Sequence, residues 1–332
     1  MRFPALALAF ALRDRLRTPA AEGPQGFFRP CKAPDAADAG GIGKSGNAAG
    51  AEKTRGTDPS GILKRSLSAP AAAQTDAALV ARGQSLVEGI AACGNCHTPK
   101  GPQGDLPGRN LAGGLVMDEP GAFRAVASNI TPDPETGIGR WTDAQLLAAI
   151  REGRRPDGSL IGSPMPFAFY RDISDADARA IIAYIRSVPP VRNQVERSTF
   201  AHPLPPSWGL PVTSAPPPAD NPVARGAHLA GPLGHCLDCH TPMNPDGSRD
   251  MSRAGQGGPP INGPAGPVAP PDITPARLAA WSDTEIARAI QQGVSRDGRP
   301  LRPPMGYGYY ARMTPAEMSD LIAYLRSLPA AR

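Results

Sequence analysis

Apolar residues recur in this chain at helical spacing, in short runs with clear beginnings. Ile181, Ile182 and Ile185 share one face of a helix predicted to start at Ser174, and Leu321, Ile322 and Leu325 share a face of another starting at Thr314, with Pro315 at its first position and Glu317 at its third. Thr142 with Gln145, and Ser282 with Glu285, read as capping boxes, in which each side chain satisfies a backbone N–H that the first turn leaves free. Trp141 with Leu146, and Trp281 with Ile286, occupy the flanking positions of a hydrophobic staple, which gives both tryptophans a structural role ahead of any electron-path role. No stretch alternates long enough to demand a sheet, and no apolar run reaches the roughly 20 residues of a spanning helix. The pattern predicts small, mostly helical units.

These elements come in pairs. Val80-Ala81-Arg82-Gly83 returns 143 positions later as Val223-Ala224-Arg225-Gly226, and Ile130-Thr131-Pro132 returns as Ile273-Thr274-Pro275. The offset then shortens to 140, which pairs Trp141-Thr142-Asp143 with Trp281-Ser282-Asp283 and Ile182-Ala183-Tyr184-Ile185-Arg186-Ser187 with Ile322-Ala323-Tyr324-Leu325-Arg326-Ser327. One domain has been duplicated in tandem. Residues 77–190 and 222–332 are the two copies. Between them 191–221 form a linker, and 188–222 hold ten prolines, a composition suited to an extended, semi-rigid strap.

Composition changes the picture at the N-terminus. Residues 1–76 carry 11 Lys and Arg against 7 Asp and Glu, whereas 77–332 carry 24 against 23, so the basic charge belongs mostly to the tail. That tail reads as an export signal followed by an Ala/Gly/Ser/Pro-rich segment unable to bury a core: Met1-Arg2 and the apolar run to Leu12 resemble a signal peptide, and Ala71-Ala72-Ala73-Gln74 resembles the end of one. Cys31 stands in it without a partner in the repeat. The folded part shows no basic stripe with interleaved aromatics, which excludes nucleic-acid binding. Lys100 is its one lysine, which argues against a lysine-rimmed docking face.

The chemistry lies in Cys93-Gly94-Asn95-Cys96-His97 and its echo Cys236-Leu237-Asp238-Cys239-His240. Cys-x-x-Cys-His is the attachment signature of a c-type haem: two thiols on one turn reach the two vinyl groups, and the histidine turns onto the iron. A zinc ribbon requires its second cysteine pair about 15–20 residues from the first, and a thioredoxin-like pair requires a βαβ context; neither is present. Two covalent haems, with iron, are therefore expected. Haem, a flat apolar body, also supplies core that a Pro- and Gly-rich chain lacks. Whether each iron takes a second protein ligand separates a carrier from a catalyst. Met165 and Met305, flanked by prolines, are the methionines that align between the copies; Met117, Met243, Met251, Met313 and Met318 have no counterpart. His228 and His235 occur in the second copy alone and His202 in the linker, where packing or surface roles are expected. Arg109 and Arg253 are candidates for pairing with haem propionates.

Both copies resemble class I cytochrome c domains. The run Ile130-Thr131-Pro132-Asp133, Gly137-Ile138-Gly139-Arg140-Trp141, Gly158 and Met165-Pro166-Phe167 is similar to the cytochrome c subunits of periplasmic gluconate, alcohol and aldehyde dehydrogenases. The resemblance covers about 77–330 and implies an all-α fold, two tandem domains each wrapped around one haem. It also implies thioethers at Cys93, Cys96, Cys236 and Cys239, His97 and His240 as proximal ligands, and Met165 and Met305 as distal ones. Such subunits commonly carry three haems; this chain has two motifs. The function implied is electron transfer in the periplasm, from a dehydrogenase to a downstream cytochrome or oxidase, without catalysis by the chain itself; it leaves room for peripheral membrane association through a complex. The alternative is a dihaem enzyme such as a peroxidase, with one open or His/His iron.

Overall fold

In the computed structural model, residues 71–329 are described apart from 246, 264 and 265; the apolar run at Met1–Leu12 and Cys31 lie outside the described residues. The first copy begins with α1 (Ala71–Val87), which leads into the single turn α2 (Cys93–His97). A hairpin of β1 (Lys100–Gly101) and β2 (Gly104–Asp105) follows, then β3 (Val116–Glu119) and β4 (Phe123–Val126), α3 (Asp143–Glu152), α4 (Phe167–Tyr170) and α5 (Asp175–Ser187). The connecting segment contributes β5 (Thr199–Phe200). The second copy repeats the order with α6 (Pro222–His228), a π-helical turn at Leu229–Leu233, α7 (Cys236–Cys239) and a 3-10 turn at Met251–Arg253. It continues through β6 (Ile261–Gly263), β7 (Gly266–Val268), α8 (Pro275–Leu278), α9 (Asp283–Gln292), α10 (Tyr307–Tyr310) and α11 (Pro315–Ser327).

The expected caps are in place. Thr142 and Ser282 each accept from the third-position backbone N–H while Gln145 and Glu285 reach back, and both helices end on a left-handed glycine, Gly153 or Gly293. Ser174 caps α5 and Thr314 caps α11. With their ends satisfied, these helices are free to bury their apolar faces against one another. α1 crosses α5, and α6 crosses α11, closely enough that a glycine is required at each crossing: a Cβ at Gly83 would lie 1.9 Å from the Ala180 carbonyl oxygen, and one at Gly226 would lie 1.9 Å from that of Asp320.

The strands depart from the expectation of a wholly helical chain. β1 pairs β2, β3 pairs β4 and β4 pairs β5, and β6 pairs β7, all antiparallel. At two to four residues they are too short to leave an alternating pattern, and glycines such as Gly121 (φ 80°) and Gly266 (φ 93°) turn the chain where a side chain would be strained. The change of offset between the copies also has a structural cause. In the first copy the Asp133 carboxylate accepts from the backbone N–H groups of Glu135 and Thr136 at 3.1 and 2.6 Å and organises a turn; in the second α8, with Pro275 at its first turn, takes that place.

Residues 191–221 run along the first copy. Trp208 donates to the Ile161 carbonyl at 2.8 Å and stacks on Phe167 with ring centroids 4.7 Å apart; Asp175 and Ala215 exchange hydrogen bonds at 2.8 and 3.2 Å. Both copies share one continuous buried cluster, from Leu86, Val87 and Ile90 through Leu229 and Leu233 to Leu321, Ile322 and Leu325. Charged contacts cross between them: Arg82 on α1, which pairs with Asp177 of its own copy at 3.1 Å, also reaches Glu317 on α11 at 3.0 Å, and His228 of the second copy lies 3.0 Å from Asp177.

Candidate haem-binding sites

Each attachment motif occupies a single helical turn entered through a strained residue. Ala92 (φ 46°) and His235 (φ 40°), directly before Cys93 and Cys236, are left-handed although neither is glycine. Strain repeated at equivalent positions is the kind retained where geometry is functional. In each copy a glycine closes on the motif histidine: Gly113 N–H donates to the His97 carbonyl at 2.6 Å, and Gly257 N–H to that of His240 at 3.1 Å.

The imidazoles are oriented alike. His97 Nδ1 lies 2.7 Å from the Ser128 carbonyl oxygen, and His240 Nδ1 lies 2.7 Å from that of Pro271. A ring N–H donating to a backbone carbonyl fixes the tautomer and leaves Nε2 with its lone pair, the form a metal-bound imidazole takes. Burial lowers the basicity of both rings and so favours the neutral form, with the backbone bond opposing it. The sequence did not identify Ser128 and Pro271, because both act through main-chain oxygens.

The surroundings fit a large flat group. Burial pushes the thiols of Cys93 and Cys236 up to about 12 and that of Cys239 to about 11, yet all four cysteines, both histidines, Met165 and Met305 are half-buried rather than closed over. Their partial exposure leaves one edge of each site open to solvent. All four thiols are free. Arg109 Nε is buried without a partner on the loop that closes onto His97, an orphaned donor suited to a carboxylate. Haem, with two vinyl groups, an iron and two propionates, matches this donor set.

The other candidates separate by position. Met165 and Met305 sit in equivalent loops directly before α4 and α10, each containing a cis proline bond, at Ser163–Pro164 and Pro303–Pro304. Both pack against the shared core. Met313 and Met318 are core residues at 5% and 4% exposure, while Met243 and Met251 are surface residues at 46% and 50%. His228 is committed to Asp177, His202 is exposed, and His235 meets the edge of the Tyr170 ring at 5.7 Å. Arg253 is exposed and donates to Gln256 at 3.4 Å, unlike Arg109. Trp141 and Trp281 pack against the core and accept through their carbonyls from Arg186 and Arg326, both at 2.6 Å. No helix among the described residues is long and apolar enough to cross a membrane.

Comparison with known proteins finds relatives over most of the described chain. The chain is 33% identical over 272 residues to one of the subunits of the nicotinate dehydrogenase of Pseudomonas putida, a match taking in 78% of this chain and 22% of that protein. It is 33% identical over 219 residues to a diheme cytochrome c-type protein of Cereibacter sphaeroides, covering 62% of this chain and 70% of that one. Against the cytochrome c subunit of the quinone alcohol dehydrogenase of Gluconobacter oxydans the identity is 32% over 251 residues, covering 70% and 51%. The match thus spans only part of these relatives, least of all the first. A family model for cytochrome c matches residues 80–189 and again 223–329, one region on each copy of the repeat. With both halves of its duplication matched, and with a histidine beside a paired-cysteine turn in each, this chain belongs to the cytochrome c family.

Proposed function

We propose that this chain is a periplasmic electron carrier, receiving electrons from a dehydrogenase subunit and delivering them to a downstream cytochrome or oxidase. Family membership and the diheme relative support two covalent haem c groups, and the subunit names of several relatives support a dehydrogenase as donor. Bound haem iron supplies reversible one-electron exchange. The residues do the rest. Cys93 and Cys96, and Cys236 and Cys239, would tether the two groups; His97 and His240 would offer Nε2, and Met165 and Met305 their thioethers, to the irons, and Arg109 would pair with a propionate. Two haem domains, 77–190 and 222–332, are joined by the 191–221 segment, and the tail 1–76 carries the export signal.

The observation that carries the reading is the identical setting of the two histidines, each with Nδ1 2.7 Å from a carbonyl, together with an equivalent methionine loop in each copy. With a histidine and a methionine each, the irons would be suited to electron transfer rather than to binding oxygen or peroxide. The test is the ferric spectrum of the exported, haem-loaded protein. Two weak red methionine-to-iron bands per chain, and no carbon monoxide binding when reduced, are expected. One band with rapid carbon monoxide binding would instead make it a dihaem enzyme of the peroxidase kind. Fractionation locates the protein, and co-purification with a dehydrogenase subunit identifies the donor.

A further inference from the structure

The two methionine loops are supported differently, and the difference crosses between the copies. The loop before α10 rests on the attachment turn of the first copy. Asn95 Nδ2, between the two cysteines, donates to the Pro304 carbonyl at 3.4 Å, and Tyr309 on α10 donates its hydroxyl to Asp105 at 2.8 Å. A Cβ on Gly306 would lie 3.7 Å from the Ala92 side chain, and one on Gly94 would lie 2.5 Å from the Tyr309 hydroxyl. Lys100 holds this junction: its ammonium pairs with Asp105, donates to the Gly94 carbonyl at 3.2 Å and stands 5.7 Å from the Tyr309 ring centre. Arg312 lies 5.5 Å from the same ring centre and donates to the Glu88 carbonyl at 3.0 Å. The one lysine of the folded part is thus an internal pin.

Among the described residues the reciprocal hydrogen bonds are not repeated; there Tyr170, at the end of α4, meets the edge of the His235 ring at 5.7 Å. At the position of Tyr309 the first copy has Phe169, without a hydroxyl. At the position of Asn95 the second copy has Asp238, which accepts from Arg249 at 2.9 Å. The loop carrying Met165 leans instead on the connecting segment, through the stack of Trp208 on Phe167.

We propose that Tyr309 and Asn95 are positioning residues for Met305, so that the second haem keeps its distal ligand only while the first domain's attachment turn holds the loop. The inference rests on the reading of Met305 as a ligand. It makes the two centres unequal: disturbance of the first attachment turn loosens ligation at the second iron, while toward the first iron the contact is the Tyr170 ring on His235, without an equivalent hydrogen bond among the described residues.

The test uses the full-length, haem-loaded protein. In Tyr309→Phe combined with Asn95→Ala the ferric methionine absorbance is expected to fall by up to half. The open fraction at one haem should rise about ten-fold, read as the appearance of carbon monoxide binding to the reduced protein, the population shift that follows from losing a hydrogen bond to a charged acceptor. Asp105→Asn, which keeps an acceptor for the tyrosine, should retain the wild-type spectrum, whereas Asp105→Ala should reproduce the loss. Met305→Ala marks the fully opened site. Two wild-type bands that survive both substitutions with carbon monoxide binding unchanged, even with a lower melting temperature, overturn the positioning role alone. A wild-type spectrum with one band, unaffected by Met305→Ala, overturns the ligand reading and the positioning role with it.

Discussion

Replacing Gly83 by alanine sets two effects against each other. In an ordinary helix the change would be favourable by about 1 kcal/mol, because glycine loses more backbone entropy on folding. Here the new Cβ would stand 1.9 Å from the Ala180 carbonyl oxygen and 2.7 Å from the Tyr184 Cβ, where ordinary contact begins at 3.4 Å. The oxygen belongs to helix backbone and cannot rotate away, so α1 and α5 must separate by about 1.5 Å. A gap of even 0.5–1 Å forfeits roughly a quarter to a half of the dispersion energy across a contact. The strain of overpacking runs to about 3 kcal/mol, so the net loss is about 2 kcal/mol, or about 5 °C in melting temperature for two copies that share one core. Thermal unfolding of the haem-loaded protein followed by far-UV circular dichroism measures it. Gly308→Ala is the control, since a Cβ there meets nothing within 4 Å. It should be neutral or slightly stabilising. A Gly83→Ala protein that melts at or above the wild-type temperature refutes the close crossing.

Met305→Ala should leave covalent haem intact and open one iron to carbon monoxide, checked by difference spectroscopy on the reduced protein; unchanged binding would remove Met305 from the ligand set. Cys236→Ser with Cys239→Ser should halve haem staining on a denaturing gel, and full staining would refute the second attachment site. Asp177 gives a pH dependence. Burial pushes its carboxyl up, but the hydrogen bond from His228, the Arg82 charge and the Ser174 hydroxyl outweigh that and hold it below the ordinary carboxylate range. A depressed carboxylate contributes stability that is present above its unfolded pKa, about 4, and is lost as pH falls through the folded value. Asp177→Asn should therefore flatten the fall in stability below about pH 4, read from denaturant midpoints across that range.

The chemistry of this chain was legible because it is local. A cysteine, two intervening residues, a second cysteine and a histidine occupy one turn, and capping boxes close within four residues, so sequence alone determined both motifs, the duplication, the caps at Thr142, Ser282, Ser174 and Thr314, and the two equivalent methionines. The same sequence did not reveal the acceptors of His97 and His240, because a carbonyl oxygen has no residue signature. Short hairpins left no period to detect. Arg151, at 1% exposure, joins α3 to Asp175 at 2.8 Å and to the Ile173 carbonyl, while its counterpart Gln291 donates to the Met313 carbonyl at 3.4 Å. Two unlike side chains doing one job erase the repeat where the contact is conserved in space. The pin at Lys100, the reach of Asn95 to Pro304 and the bond from Tyr309 to Asp105 span up to 209 positions. Contacts of that separation are set by which surfaces meet when two buried faces share one core, so only the tertiary structure decided that the copies, nearly equal as sequences, support their methionine loops unequally.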